Sequence, residues 1–195
     1  MDKPIDLPNI RLITVSGRIA SGSTTLAGGI AKALGWKHIE GGEIFWEAVR
    51  RKLGLKAEET NLRPDDEDKL FDAQLKKTLQ EERHIVLETK LAGFNAQGIE
   101  GVFKALVVCE DNAGVDQTQL RIDRLVNREG ISIGDAKREV VTREDNDIAK
   151  WRKLYANDPD WIYWDRKYYD LVINTYSLNA EESSKTVLKA LNFKK

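Results

Sequence analysis

The stretch Gly17-Arg18-Ile19-Ala20-Ser21-Gly22-Ser23-Thr24 constrains this chain more than any other. A short β-branched run, residues 11–16 (RLITVS), precedes it. Residues 23–34 (STTLAGGIAKAL) follow, with Leu26, Ile30, Ala33 and Leu34 on one helical face and Gly35 as a stop. A strand, a glycine-rich turn and a helix in that order gather backbone N–H groups and the positive end of the helix dipole around one point. Glycines at 17 and 22 let the backbone wrap a phosphate closely. A hydroxyl at Thr24 is placed to ligand a Mg²⁺ that bridges the β- and γ-phosphates of a nucleotide. Ser23 stands where such a loop ordinarily carries a lysine, so the point charge is missing. The alternative for the same residues is a tight strand-to-helix turn that holds no ligand.

Strands and helices alternate through the rest of the chain. A strand at 37–40 leads to a helix at 42–53, where Ile44, Phe45, Ala48, Val49 and Leu53 recur at helical spacing. Residues 56–62 read as a loop, and Pro64 opens a helix to about residue 82 whose acidic start, Asp65 to Asp68, reads as solvated. Strands are expected at 84–88, 104–109 and 171–174, and helices at 116–129, 135–155 and 180–192. This pattern predicts an α/β fold in three layers: a parallel sheet of about five strands, right-handed crossovers and helices on both faces. With 195 residues and no linker-like tract, 1–195 reads as one domain.

Charge and cysteine content narrow the chemistry. Lys+Arg number 31 and Asp+Glu 32, so a net charge of −1 gives no global pull toward nucleic acid or an anionic membrane. A single cysteine, Cys109, rules out an internal disulfide and points to a reducing, cytoplasmic setting. The opening MDKPIDLPNI has no apolar core of a signal peptide, and no run is long enough to cross a bilayer. Two histidines and one cysteine argue against a structural zinc site.

Local clusters then matter more. Arg121, Arg124 and Arg128 share one helix face, and Arg138 and Arg143 follow a break at Gly130. A closing segment with several arginines can clamp the charge that spreads over a moving phosphoryl group; the other reading is a solvated helix. Arg143, Asp147 and Lys150 also share a face, as a phosphate and ribose reader or as a plain surface ion pair. Glu88-Thr89-Lys90 ends a buried strand, where ligands of open α/β sheets collect. Trp151, Tyr155, Trp161, Tyr163, Trp164, Tyr168 and Tyr169 read as core packing in preference to base stacking.

Together these motifs resemble the P-loop nucleoside monophosphate kinases of the cytidylate kinase-like type, in a short archaeal-style form. The resemblance runs from about 11 to 190, through ITVSGRIASGSTTLAGGIAKALGWKHIEGGEIF, IVLETKLAG, LRIDRLVNREG, the REDND segment and YDLVINT. It implies transfer of the γ-phosphoryl group of ATP, with Mg²⁺, to CMP or dCMP, by in-line attack without a nucleophilic side chain. It also implies small nucleotides as the only partners, no nucleic acid or membrane, and a monomer or weak dimer. Gly17, Ser21, Gly22, Ser23, Thr24 and Thr25 would form the donor cradle, with Thr24 on the metal and Glu88 reaching it through water. Glu40, Lys90, Arg143, Asp147 and Lys150 would hold the acceptor. Arg121, Arg143 and Lys150 would act on the reacting phosphate, Arg121 from a small helical lid at about 121–142 over a core of 11–120 and 156–195. Five positions depart from the family pattern: Ser23 for lysine, Trp46 for a phosphate-binding arginine, Thr89-Lys90 for Gly-Arg, and Lys150 for arginine. Arg18, Arg50 and Lys90 are the cations available to compensate. The remaining alternatives are a kinase for UMP, AMP or a small hydroxyl metabolite, and a non-catalytic nucleotide-binding module.

Overall fold

A computed structural model describes residues 3–55, 59 and 62–193, apart from the side chains at 43, 44, 46, 47 and 50. The side chains of Trp46 and Arg50 and most of the 56–62 loop thus lie outside what is described. The β-branched run forms strand β1 (Leu12–Gly17), buried along its whole length. Burial on both faces is what a central parallel strand requires. It is flanked by β3 (Ile85–Glu88) and β4 (Val102–Val108), with β2 (Lys37–Glu40) outside β3 and β5 (Leu171–Asn174) outside β4. All four pairings are parallel, and the order is β2-β3-β1-β4-β5. The register aligns Val15 with Glu88 and Ala105, and Glu40 with Glu88, so these strands end together on one edge of the sheet.

Helices cover both faces. On one, α1 (Ser23–Leu34) and α8 (Ala180–Ala190) bury Leu26, Ile30, Leu34 and Val187 against Ile13, Val15, Val107 and Ile173. On the other, α3 (Asp65–Glu81) buries Leu75 and Leu79 against Leu12, Leu87 and Val102. Each such side chain contributes about 1.5–3 kcal/mol of transfer free energy. The helix α2 (Gly41–Leu53) follows β2 directly, and a one-turn helix α4 (Ala92–Asn95) that the sequence did not announce joins β3 to β4. Among the described residues no helix is long and apolar enough to cross a membrane.

The C-terminal half departs most from expectation. Helix α5 (Thr118–Glu129) starts two residues late, because Asp116 is drawn into a bridge with Glu110. The single helix expected over 135–155 is broken into α6 (Ile133–Lys137), a π-helical turn (Arg138–Arg143), α7 (Glu144–Trp151) and a second π-helical turn (Arg152–Ala156). Such wider turns re-aim the residues that follow them, and they gather at functional sites. Two small clusters pack this half onto the sheet. Ile122, Leu125, Ala136 and Val140 enclose Ile19 and Ala20 of the glycine loop. Trp151, Trp161, Tyr163 and Tyr168 pack with Leu91 and Ile148, with Phe94, Tyr155, Trp164 and Tyr169 against them, largely edge-to-face.

Candidate active site

The glycine loop closes tightly between β1 and α1. A Cβ at Gly17 would sit 2.5 Å from Ser21 Oγ and 3.1 Å from the Val107 carbonyl. Gly22, with φ +104, enters α1 in a left-handed conformation that side chains resist and leaves the first-turn N–H groups without a capping side chain. A cavity of about 330 Å³ opens there, with Gly17, Gly22, Ser23, Thr24 and Thr25 on its wall. Ser21 is fully buried and off the wall; its carbonyl accepts from Thr175 Oγ1 at 2.6 Å. Ser23 Oγ donates to Glu88 Oε1 at 2.8 Å, and Thr24 Oγ1 to Glu88 Oε2 at 3.3 Å. Glu88 and Glu40 both line the cavity. Burial pushes the Glu88 carboxyl up, the Ser23 hydrogen bond opposes this, and Glu40 on the next strand reinforces it.

The opposite wall is cationic. Arg63, just ahead of α3, forks onto Asp68 through Nε at 2.8 Å and Nη2 at 2.7 Å, and reaches Asp147 Oδ1 through Nη1 at 3.2 Å. Lys90 Nζ donates to Asp147 Oδ2 at 2.9 Å. Arg63 and Lys90 line the cavity, and Arg143, paired with Glu139 at 2.7 Å, does too. Asp147 does not: it is 0% exposed and lies behind the two cations as their brace. Burial works to raise its carboxyl, but Lys90, Arg63 and Arg143 together hold it below the usual carboxylate range. Lys150 is also off the wall, bonded to the Arg63 carbonyl at 2.6 Å and to Asp65 at 2.7 Å. In the structure Asp147, expected at a ribose, and Lys150, expected at a phosphate, both hold Arg63.

The arginine face of α5 diverges. Arg121, expected over the reacting phosphate, is fully buried and off the cavity wall. It donates to Asp116 at 2.9 Å, to Glu144 at 3.4 Å and to the Ile19 carbonyl at 2.8 Å. Three fixed acceptors inside the protein make it a strut under the loop. Glu144, 1% exposed, also accepts from Arg18 through Nε at 2.8 Å and Nη2 at 2.6 Å, from the Ile19 N–H at 3.4 Å and from the Tyr163 hydroxyl at 3.3 Å. Arg18, which lies over Trp164 at 4.5 Å, thereby anchors the loop to α7. Arg124 turns to Thr175, at 3.0 Å. Arg128 is the member of the face that lines the cavity, and it also lines a second cavity of about 610 Å³ beyond Gly22, between Arg124 and the segment that opens α8.

Sequence reasoning missed Arg63, Asp68, Asp72 and Glu144. The i,i+4 spacing of Asp68 and Asp72 was a signal, since it puts two carboxylates on one helix face. Asp68, read as part of a solvated helix start, is only 4% exposed.

A parallel sheet of order β2-β3-β1-β4-β5, with a glycine loop between β1 and α1 opening into a cavity lined by arginines, defines a P-loop kinase. Solved structures share that fold: a shikimate kinase from Bacteroides thetaiotaomicron (TM-score 0.57, 13% identity, 93% of this chain and 98% of that one) and a gluconokinase from Sinorhizobium meliloti (TM-score 0.53, 16% identity, 95% and 93%). A family model described as an AAA domain matches residues 16–113. A cytidylate kinase of Natronomonas pharaonis is 31% identical over 184 residues, 93% of this chain and 89% of that one. That of Archaeoglobus fulgidus is 30% identical over 187 residues, 94% and 96%. The chain belongs to the cytidylate kinase-like family of P-loop nucleoside monophosphate kinases.

Proposed function

We propose that this kinase transfers the γ-phosphoryl group of ATP to CMP or dCMP, with Mg²⁺, to give the diphosphate. The observation that carries the reading is one cavity lined both by the α1 N-terminus with its hydroxyls and by Arg63, Lys90 and Arg143, two groups suited to anions. Similarity to cytidylate kinases along almost the whole chain supports that acceptor. The loop N–H groups and the α1 dipole hold the donor phosphates, and the second cavity, which shares Ala20, Gly22, Thr25 and Arg128 with the first, takes the donor nucleoside.

Thr24 and Glu88 present hard oxygen atoms already oriented on each other, which suits Mg²⁺. Thr24 would hold the ion directly and Glu88 through water, and the ion would supply charge neutralisation between the β- and γ-phosphates. The protein then positions and neutralises. Arg63 and Lys90, braced by Asp147, hold the acceptor phosphate as the attacking group. Arg143 and Arg128 face the charge that spreads over the transferred group. Helices α5 and α6 with the first π-helical turn act as the lid that excludes water. The free, buried Cys109 agrees with a cytoplasmic setting.

A coupled assay of ADP release tests this across CMP, dCMP, UMP, AMP and small hydroxyl metabolites. CMP or dCMP should give the highest kcat/KM. An AMP or non-nucleotide acceptor about tenfold better would refute the acceptor assignment.

A further inference from the structure

The carboxylates that line the cavity differ in their partners. Asp68, Glu129 and Glu139 each pair with an arginine at 2.7 Å. Glu40 is half-exposed. Glu88 and Asp72 instead receive their hydrogen bonds from neutral donors. Glu88 belongs to the donor end, beside Ser23 and Thr24. Asp72 is left without a part in the transfer chemistry. It is 6% exposed, and it accepts from Asn95 Nδ2 at 2.9 Å on Oδ1 and from the Tyr155 hydroxyl on Oδ2. Burial pushes its carboxyl up. A buried carboxylate with only neutral hydrogen-bond donors is costly to keep, and an N–H donor arriving from a ligand offsets that cost.

The two neutral partners also orient Asp72. Burial and Asp72 itself push the Tyr155 phenol far up, so it stays a donor. Each carboxylate oxygen therefore accepts one bond from the protein and retains acceptor capacity for a ligand. Phe71, the preceding residue, packs on Phe45 with ring centroids 4.4 Å apart and 33° between planes, and both rings line the same cavity. The result is an apolar wall beside an edge that accepts hydrogen bonds, which fits a flat ring bearing an amino group.

We infer that Asp72 reads the acceptor's base, accepting a hydrogen bond from the exocyclic amino group of cytosine and disfavouring uracil, which presents a carbonyl oxygen there. This rests on the CMP/dCMP reading above. A carbonyl set against a buried carboxylate leaves two acceptors facing each other with no proton between them, a mismatch that sites built on hydrogen bonds reject strongly.

The test is kcat/KM for CMP and for UMP at saturating MgATP. Asp72→Asn keeps the shape of the side chain and turns one acceptor into a donor. It should lower the CMP-to-UMP ratio by about tenfold or more, with UMP turnover holding or rising. Tyr155→Phe keeps the ring and removes the orienting hydroxyl, and should move the ratio the same way by about threefold. MgATP titration of each variant reports the donor end independently. An unchanged ratio, or equal losses on both acceptors, with MgATP binding retained overturns the inference. If Asp72→Asn loses MgATP binding, Tyr155→Phe alone decides by the same criterion. A wild-type enzyme that prefers a non-pyrimidine acceptor refutes the functional reading, and this inference with it, before any substitution is made.

Discussion

Ser23 and Thr24 share Glu88, but unequally. Ser23 holds the shorter hydrogen bond, 2.8 Å against 3.3 Å, so its hydroxyl is committed while that of Thr24 is looser and better placed to be recruited by a metal. Thr24→Ala should weaken Mg²⁺-dependent ATP binding about tenfold, and Ser23→Ala by less than about threefold. ATP titrations with and without Mg²⁺ give the two ratios; small, equal losses would return the loop to a structural turn. Arg121 carries the opposite expectation. Its removal strips Glu144, 1% exposed, of a guanidinium and leaves the Ile19 carbonyl without its donor. Arg121→Ala should cost about 3 kcal/mol of stability, read as a lower urea midpoint. An unchanged midpoint with a much reduced kcat would instead put this arginine at the reacting phosphate. The loop was legible because glycine spacing is a backbone property, written locally. Arg121 and Glu144 were not, since an arginine on an amphipathic helix looks the same whether it faces ligand, solvent or a buried carboxylate 23 positions away.

At the scale of elements, α7 and its two π-helical flanks do most to shape the site. Periodicity predicts one helix over 135–155, because the side-chain pattern of a π-helical turn departs from that of an α-helix by a single extra residue. What the turns change is aim: Glu144 points at the loop and Asp147 at Arg63 and Lys90. The Asp147 carboxyl lies below its ordinary value of 3.8 once Lys90, Arg63 and Arg143 have overcome burial. A carboxyl depressed in the folded state contributes stability that is present above the unfolded pKa and lost as pH falls through the folded one. Asp147→Asn should therefore cost about 3 kcal/mol at pH 7, and the gap to wild type should close as pH drops below about 4. Chemical denaturation at both pH values measures this, and a gap that is independent of pH would show that charge on Asp147 is not what holds the pair.

For the molecule as a whole, the alternation of strands and helices was enough to give the sheet, its parallel sense and its two helical faces, because hydrophobic period and connection length are global constraints. The cavity was only partly foreseeable. Arg63, Asp68 and Asp72 acquire their roles when α3 packs against α4 and α7, a matter of tertiary contact and not of spacing. One feature of that packing joins the glycine loop to the cations of the cavity. Glu144 grips the glycine loop and Asp147 grips Arg63 and Lys90, and they sit three residues apart, about 4.5 Å along one helix. On the proposed reading, a single turn thus gears one ligand's seat to the other's. An ATP analogue that shifts that turn would then change the acceptor's affinity, and thermodynamic linkage makes any such effect equal in both directions. Calorimetric titration of CMP with and without a non-hydrolysable donor should show cooperative binding, by about five-fold or more. Independent affinities would mean that the turn is too soft to transmit. With synergy of that size, neither substrate need bind first, and each would recruit the other.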